Sequence, residues 1–308
     1  MTLFSLIVAL LIEQLRPLPV ARFVQAPLSG LARFLEDRFN DGEARHGAVA
    51  WWIAVLSICF ASALIYFLLW HLHPVIALAF NVLVLYLTMG FRQVSHYFTD
   101  IQLALRMGEL PRARQLIGEW RGRSHDQSSS GEVARLAIEE ALVAAHRNVF
   151  GVIFWFILLP GPSGALLYRL SRFFHETWGG RTDAGDFGNF GRFAEQAFAL
   201  LDWVPVRLSA AAFSIVGDFE DGVYCWRAQA SQWADRASGI LLASGGGALG
   251  VRLGMPIHES GEIIERPEMG IGDDADVEFM QSAIGLIWRT LVLVFLMLAL
   301  LSVARMGW

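Results

Sequence analysis

Three polar side chains at regular spacing are the first candidates for chemistry in this sequence. Arg92, His96 and Asp100 lie four residues apart, so a helix places them on one face. A cation, an imidazole and a carboxylate on one face predict a ligand or anion site where the chain leaves the membrane. The alternative is a helix at the membrane surface with an ordinary polar face.

A second set of polar side chains recurs every seven residues. Glu132, Glu139 and His146 line up along one helix, with Arg135 and Glu140 nearby. Carboxylate and imidazole groups on one face predict a site for a metal ion or an amine. The alternative is a solvated face held by Glu–Arg pairs, each contributing about 0.2–0.5 kcal/mol.

Three arginines in apolar surroundings predict a bound anion. Arg169 follows a Pro-Gly break, Arg207 follows Trp203-Val204-Pro205, and Arg252 lies in a glycine-rich string. An arginine in such a place needs a carboxylate, a phosphate or interfacial water. We therefore expect a small polar or anionic ligand held by these arginines, with snorkelling of Arg207 to the interface as the alternative.

The elements that must position these residues are membrane helices. The chain has 308 residues, of which 55% are hydrophobic and 17% are charged, whereas soluble domains carry about 45–50% and about 25%. A net charge of −5 argues against nucleic acid as a partner. Every basic residue is arginine, which excludes Schiff-base and P-loop lysine chemistry, and the two cysteines lack the CxxC spacing of a zinc site.

Apolar stretches predict the membrane segments, since a spanning helix needs about 20 mostly apolar residues. We predict spans at 49–70, 74–91 and 284–303. The stretch 149–170 contains a Pro-Gly-Pro turn, which predicts either a kinked span or a re-entrant segment. Residues 1–12 predict a retained span or half-span instead of a cleaved signal peptide.

The chain divides into four parts. They are 1–91 with the N-terminal segment and helical hairpin, 92–148 as an Arg-rich soluble helical region, 149–283 with the broken segment, amphipathic helices and Gly-rich loops, and 284–308 with the last span. No β alternation is visible, so we predict an all-α, multi-pass protein of the bacterial inner membrane with four to five membrane segments. Arginine-rich flanks predict a cytoplasmic face on both sides of the hairpin. The side of the membrane on which 171–283 lie, and assembly as a homo-oligomer, are left open.

Four strings, kept in order, resemble the CobD/CbiB family. They are GELPRAR at 108–114, GPSGALLYR at 161–169, WVPVRLSA at 203–210 and GALGVRLG at 247–254. The resemblance covers about residues 1–254. It implies an inner-membrane enzyme of cobalamin biosynthesis, an adenosylcobinamide-phosphate synthase, which joins a corrinoid side-chain carboxylate to an aminopropanol-type amine at the expense of ATP.

Three motifs of that family carry other residues here at their acidic positions. The family's GRDT motif appears as GRSH at 122–125, its ENxxDG motif as HRNVFG at 146–151, and its NTLDSM motif as SRFFHE at 171–176. ATP-dependent amide formation needs acidic groups to hold Mg²⁺, which prefers oxygen ligands. The resemblance therefore implies the family scaffold without its acidic site.

A sister group, AmpE, is similar in the start MTLF, in LIEQL at 11–15, in LDWVPVRL at 201–208 and in the C-terminal span. We therefore predict a binding or signalling protein linked to β-lactamase induction and peptidoglycan recycling. The alternative is the ATP- and Mg²⁺-dependent synthase with its metal held by shifted acids such as Glu139, and a transporter is the third possibility. No catalytic or metal-binding residue is predicted under the first interpretation. The candidate ligand-binding residues are Arg92, His96, Arg123, Glu139, His146, Arg169, Arg207 and Arg252.

Overall fold

The fold is helical, with one small region of short strands. The computed structural model describes residues 2–15, 24–181 and 187–306. The helices are α1 (Thr2–Leu15), α2 (Ala26–Phe39), α3 (Ala44–Leu72), α4 (Pro74–Thr88), α5 (Phe91–Arg106), α6 (Leu110–Arg121), α7 (Ser130–Ala145), α8 (Gly151–Leu158), α9 (Ser163–Trp178), α10 (Arg192–Val216), α11 (Phe219–Gln229), α12 (Arg236–Leu249) and α13 (Val277–Met306). The strands are β1 (Val251–Gly254), β2 (Ile257–Glu259), β3 (Glu262–Ile264), β4 (Glu268–Met269) and β5 (Asp273–Asp274).

The chain forms a multi-pass membrane protein. Four helical stretches among the described residues are long and apolar enough to span a bilayer: Ala44–Leu72, Ser130–Leu158, Arg192–Val216 and Val277–Ala304. The helices α1 and α4 are apolar but shorter. The predicted all-α, multi-pass architecture is thus confirmed, and the bilayer is one partner of the protein.

Two compact units make up the chain. Unit 1 comprises Met1–Gly90 with Gly151–Pro205, and unit 2 comprises Phe91–Phe150 with Val206–Trp308. The core of unit 1 is aromatic and contains Trp51, Phe174 and Trp178. The indole Nε1 of Trp178 donates a hydrogen bond to Glu36 Oε1 at 2.8 Å, so the polar edge of this buried ring is satisfied.

The Pro-Gly break in unit 1 is a turn between two packed helices. Gly161 has a φ of +60°, a conformation that glycine adopts without steric cost. Gly151 on α8 lies against the ring of Tyr168 on α9, and Gly164 lies against the carbonyl of Trp155. The chain therefore reverses at residues 159–162, and α8 and α9 form an antiparallel hairpin.

The helix that carries Glu132, Glu139 and His146 is long and is capped by its own sequence. The Ser129 side chain accepts a hydrogen bond from the backbone amide of Glu132, and the Glu132 carboxylate accepts one from the Ser129 amide. This capping box starts α7 at the end of the serine-rich loop. A π-helical turn over His146–Phe150 then connects α7 to α8, so that one helical stretch runs from residue 130 to residue 158.

The region around 251–274 corrects the expectation that no strand occurs. β1 pairs antiparallel with β4 and parallel with β5, and β2 and β3 form a separate hairpin. Each strand has only two to four residues, which is too short for a visible alternation of apolar and polar residues. Positive φ angles at Gly254 and Gly261 turn the chain between the strands.

The glycine triplet 245–247, which belongs to the part of the chain predicted to contain Gly-rich loops (149–283), lies inside the helix α12. A Cβ on Gly245 would meet the Leu142 side chain of α7, and a Cβ on Gly247 would meet the carbonyl of Asp221. These glycines let α12 pack closely against its neighbours in unit 2. Their role is helix packing, and the triplet presents no loop to a phosphate.

Candidate functional site

The structure places the predicted ligand residues in both units. Arg169 lies on α9 in unit 1, whereas Arg207 on α10 and Arg252 on β1 belong to unit 2. Arg252 Nη2 donates to Asp274 Oδ1 at 2.8 Å, so this guanidinium already has a carboxylate partner. The role of the three arginines in holding a ligand stays a prediction.

The helix predicted to carry Arg92, His96 and Asp100 is α5. His96 and Asp100 both lie on α5 and are exposed, while the side chain of Arg92 is outside the described residues. The proposed ligand site on this face therefore also stays a prediction.

Glu139 is a buried structural carboxylate. It is 3% exposed, and its Oε1 accepts from the backbone amide of Gly254 at 2.8 Å. Arg266 donates to both carboxylate oxygens, at 2.8 Å and 3.2 Å, in a bidentate pair. The same guanidinium donates to the Gly254 carbonyl and lies over the ring of Trp233. Glu139 and Arg266 thus fix the turn that follows β1 against α7.

His146 has a different partner from Glu139, although both lie on one helical stretch. It is fully buried in the π-helical turn, and its Nδ1 lies 2.9 Å from the Ser209 hydroxyl on α10. Arg147 beside it donates to Asp235 at the start of α12. The stretch that replaces the ENxxDG motif is therefore a π-helical turn, a feature found frequently at functional sites.

Two arginines and a glutamate meet next to the Glu139 pair. Glu259, 4% exposed on the β2–β3 hairpin, forms an ion pair with Arg123 Nη1, and its Oε2 lies 3.6 Å from Arg121 Nη2. Arg121 Nη1 also donates to Glu140 Oε1 at 2.9 Å. Arg135 on α7 donates to the Pro256 carbonyl at 2.8 Å. We refer to the following group as the charged site: Arg121, Arg123, Arg135, Glu139, Glu140, Glu259 and Arg266.

His125 lies at the base of the hairpin beside Glu259. The imidazole is 1% exposed, and its Nδ1 lies 3.1 Å from the backbone carbonyl of His258. Ser128 donates to the same carbonyl, and the amide of Ser260 donates to the Ser124 carbonyl. These contacts hold the hairpin on the loop that follows α6.

Burial and charge shift the ionisation of the groups around Glu259. Burial lowers the pKa of His125, and the charge of Arg121 lowers it further, against the effect of the His258 carbonyl. For Glu259, burial alone raises the pKa, but the hydrogen bond and charge of Arg123 and the charge of Arg121 outweigh it and lower the pKa. At neutral pH the site therefore holds an ionised Glu259 and a neutral His125.

The site suits phosphate oxygens better than a metal ion. No group of three or more His, Cys, Asp or Glu side chains in the described part of the chain is arranged to hold a metal. Both oxygens of Glu139 are occupied by Arg266 and Gly254, Glu140 is paired with Arg121, and Glu259 is paired with Arg123. The acidic residues of the charged site therefore do not fit a magnesium ion, whereas the guanidinium groups offer the donors that phosphate and carboxylate accept.

Two of the four family-like strings border this site. The helix that contains GELPRAR leads directly to Arg121 and Arg123, and GALGVRLG ends at Gly254, which binds Glu139. A sequence model of the CobD/CbiB protein family matches residues 6–287. The chain belongs to the CobD/CbiB family.

Curated relatives support this membership. The chain is 34% identical to the cobalamin biosynthesis protein CobD of Stutzerimonas stutzeri over 288 residues, which cover 92% of each chain. It is 33% identical to CobD of Chromobacterium violaceum over 70% of this chain and 68% of that protein. It is 25% identical to CbiB of Salmonella typhimurium over 87% and 84%. No solved structure matches the chain.

The predicted AmpE-like signalling role is wrong. The relatives are cobalamin biosynthesis proteins, and the CobD/CbiB model extends through most of the chain. The prediction gave too much weight to the missing acids and too little to the family-like strings, which the family model and the relatives match along most of the chain. Glu259 and Arg266 escaped the sequence analysis. Their position shortly after GALGVRLG was the available signal.

Proposed function

We propose that this protein is an enzyme of cobalamin biosynthesis, an adenosylcobinamide-phosphate synthase of the bacterial inner membrane. The reaction joins a corrinoid side-chain carboxylate to the nitrogen of an aminopropanol-type amine. The carboxylate oxygen leaves on a phosphate group taken from ATP, and the amine nitrogen forms the new bond to the carbonyl carbon. Two of the three reactants are therefore anions when they bind.

The observation that carries this proposal is the convergence of family-like strings on one charged site. The stretch that leads to Arg121 and Arg123 and the string that ends at Gly254 are far apart in sequence but meet in unit 2. Membership of the family over residues 6–287 supports the same conclusion. Carboxylate and phosphate groups pair well with guanidinium groups, so a site rich in arginine suits both anionic reactants.

The residues of the site have separate tasks in this proposal. Arg121 and Arg123 bind the anionic groups, because Arg123 reaches solvent with 61% of its side chain exposed and Arg121 lies deeper at 17%. Glu139 and Arg266 hold the turn after β1 and do not touch the reactants. Since the acidic residues do not fit magnesium, no step is assigned to a metal held by this chain.

A reconstituted reaction tests the function. The protein in lipid nanodiscs is supplied with ATP, Mg²⁺, a corrinoid acid and aminopropanol, with and without a phosphate ester on the amine. We expect the amide product in the mass spectrum, a strong loss of product with Arg121→Gln, and normal product with the exposed control Arg112→Gln. Folded protein that forms no amide with either amine would refute the proposed function.

Growth provides a second readout. A bacterial strain that lacks its own synthase and depends on corrinoid synthesis should grow when it receives the wild-type protein or Arg112→Gln. Expression of the wild-type protein in the membrane without restored growth would count against the function in the same way.

A further inference from the structure

Two buried side-chain nitrogens near Glu259 have no hydrogen-bond partner among the described residues. Arg121 Nη2 lies 3.6 Å from Glu259 Oε2, and His125 Nε2 lies 3.9 Å from the same oxygen, both beyond hydrogen-bond distance. The two nitrogens without a partner are Arg121 Nε and His125 Nε2. Since the Nδ1–H of the neutral His125 donates to the His258 carbonyl, its Nε2 is an unsatisfied acceptor, whereas Arg121 Nε is an unsatisfied donor. A ligand that offers both an acceptor oxygen and a proton would satisfy both atoms, which the ionised Glu259 carboxylate does not.

The groups around these two nitrogens differ in their exposure to solvent. His125 is 1% exposed, and the backbone on both sides of Glu259 is fixed by bonds from Ser260 to Ser124 and from His258 to Glu132. The side chain of Arg123 is 61% exposed, whereas that of Arg121 is 17% exposed. Arg123 is therefore the first of these side chains that an anion from solvent meets.

We propose that Arg121, Arg123 and His125 form a phosphate-binding site for which phosphate competes with the side chain of Glu259. A phosphate group presents two oxygens to Arg121 and Arg123 and a third to His125, with a proton shared between that oxygen and the His125 Nε2. Glu259 presents only two oxygens and reaches only Arg123 within hydrogen-bond distance. Binding displaces the Glu259 side chain, and the hairpin backbone stays anchored. Phosphate then binds only to those molecules in which the Glu259 side chain has left the site. The apparent affinity for phosphate is therefore the intrinsic affinity multiplied by the fraction of such molecules.

The inference rests on the proposed function for the source of the phosphate. The terminal phosphate of ATP, a phosphate ester on the amine and free inorganic phosphate share the same chemistry. Separate titrations with ATP, aminopropanol phosphate and inorganic phosphate distinguish these sources, because the correct ligand gains additional contacts and binds more tightly than inorganic phosphate.

The test measures binding to the full-length protein in nanodiscs by calorimetry, without turnover. Arg123→Gln removes one charge-assisted hydrogen bond and should weaken phosphate binding about tenfold. The control Arg112→Gln removes an equally exposed arginine, 66% against 61%, on the neighbouring helix and should leave the affinity within about twofold. Equal losses in the two variants would mean general attraction of the anion by surface charge and would overturn the site.

Variants of the displaced carboxylate test the second half of the inference. Glu259→Gln removes the competing charge and should tighten phosphate binding about tenfold. Glu262→Gln, on the exposed opposite strand of the same hairpin, should change nothing. Glu259→Asp keeps the charge but shortens the reach, so it should give a smaller gain and serves as the test if Glu259→Gln does not fold.

The outcomes separate this inference from the proposed function. Folded Glu259 variants that bind phosphate no more tightly than the wild-type protein would overturn the displacement, whether or not the protein forms the amide. Phosphate binding that depends on Arg123 and Glu259, in a protein that forms no amide, would support the site and refute the synthase function.

Discussion

The pair formed by Glu139 and Arg266 allows a direct test of whether this carboxylate is structural. Glu139→Gln keeps a carbonyl oxygen that accepts from the Gly254 amide but removes the negative charge opposite Arg266. The guanidinium side chain is only 11% exposed, so its charge would remain buried and unpaired. Breaking a buried pair in this way costs about 3–5 kcal/mol.

A double-mutant cycle isolates the interaction. Glu139→Gln, Arg266→Met and the double variant are unfolded reversibly in mixed micelles, and the free energies of unfolding are compared with that of the wild-type protein. We expect a coupling energy of about 2 kcal/mol, because the second substitution removes the charge that the first leaves unpaired. The exposed pair of Glu109 and Arg112, at 3.6 Å, is the control, with an expected coupling below about 0.5 kcal/mol.

The same variants distinguish a structural carboxylate from a magnesium ligand. If Glu139 were a magnesium ligand repelled by neighbouring carboxylates, Glu139→Gln would leave the free energy of unfolding unchanged or increase it. The same substitution would abolish Mg²⁺-dependent nucleotide binding. That result, with normal stability, would refute the assignment of Glu139 to the support of the turn after β1. A loss of stability with a small coupling energy would also contradict it, since the cost would then arise outside the pair.

Three further predictions concern helix starts, packing and pH. Ser129→Ala removes the cap of the long helix and should lower the free energy of unfolding by about 0.5–2 kcal/mol, measured in the same micelles. Gly164→Ala places a Cβ against the Trp155 carbonyl and should lower the melting temperature strongly. Gly30→Ala, in open space on a helix, should instead stabilise the folded protein by about 0.5–1 kcal/mol. Equal effects of the two substitutions would contradict the packing argument. Because the pKa of His125 is lowered in the folded protein, the unfolded chain takes up this proton at a higher pH than the folded chain does. The stabilisation of the folded state by neutral His125 is therefore complete above about pH 6.5, and it is lost as the pH falls towards the pKa in the folded protein. Melting temperatures of the wild-type protein and His125→Asn between pH 7.5 and 5.5 should therefore diverge most at the upper end, and parallel curves would refute the assignment.

Local patterns in the sequence predicted two of the four helical stretches that are long and apolar enough, among the described residues, to span a bilayer, and they did not predict Ser130–Leu158 or Arg192–Val216 as spans. The predicted spans 49–70 and 284–303 fall inside α3 and α13, and the span 74–91 corresponds to α4, which ends at Thr88. Apolar character along a helix is a property of neighbouring residues, so it can be read without knowledge of distant contacts. The regular spacing of Glu132, Glu139 and His146 predicted their common helix for the same reason.

The partners of those residues depended on the tertiary structure. Glu139 pairs with a residue more than 100 positions away, and strands of two to four residues carry no periodic signal by which that partner could be found. The triplet at 245–247 suggested a loop because isolated glycines favour turns, but close contact with Leu142 requires it inside a helix. Composition and helical periodicity therefore determined that this protein is a helical membrane protein. Only the packing of distant segments decided which charges are paired, because burial and ion pairing depend on neighbours in space.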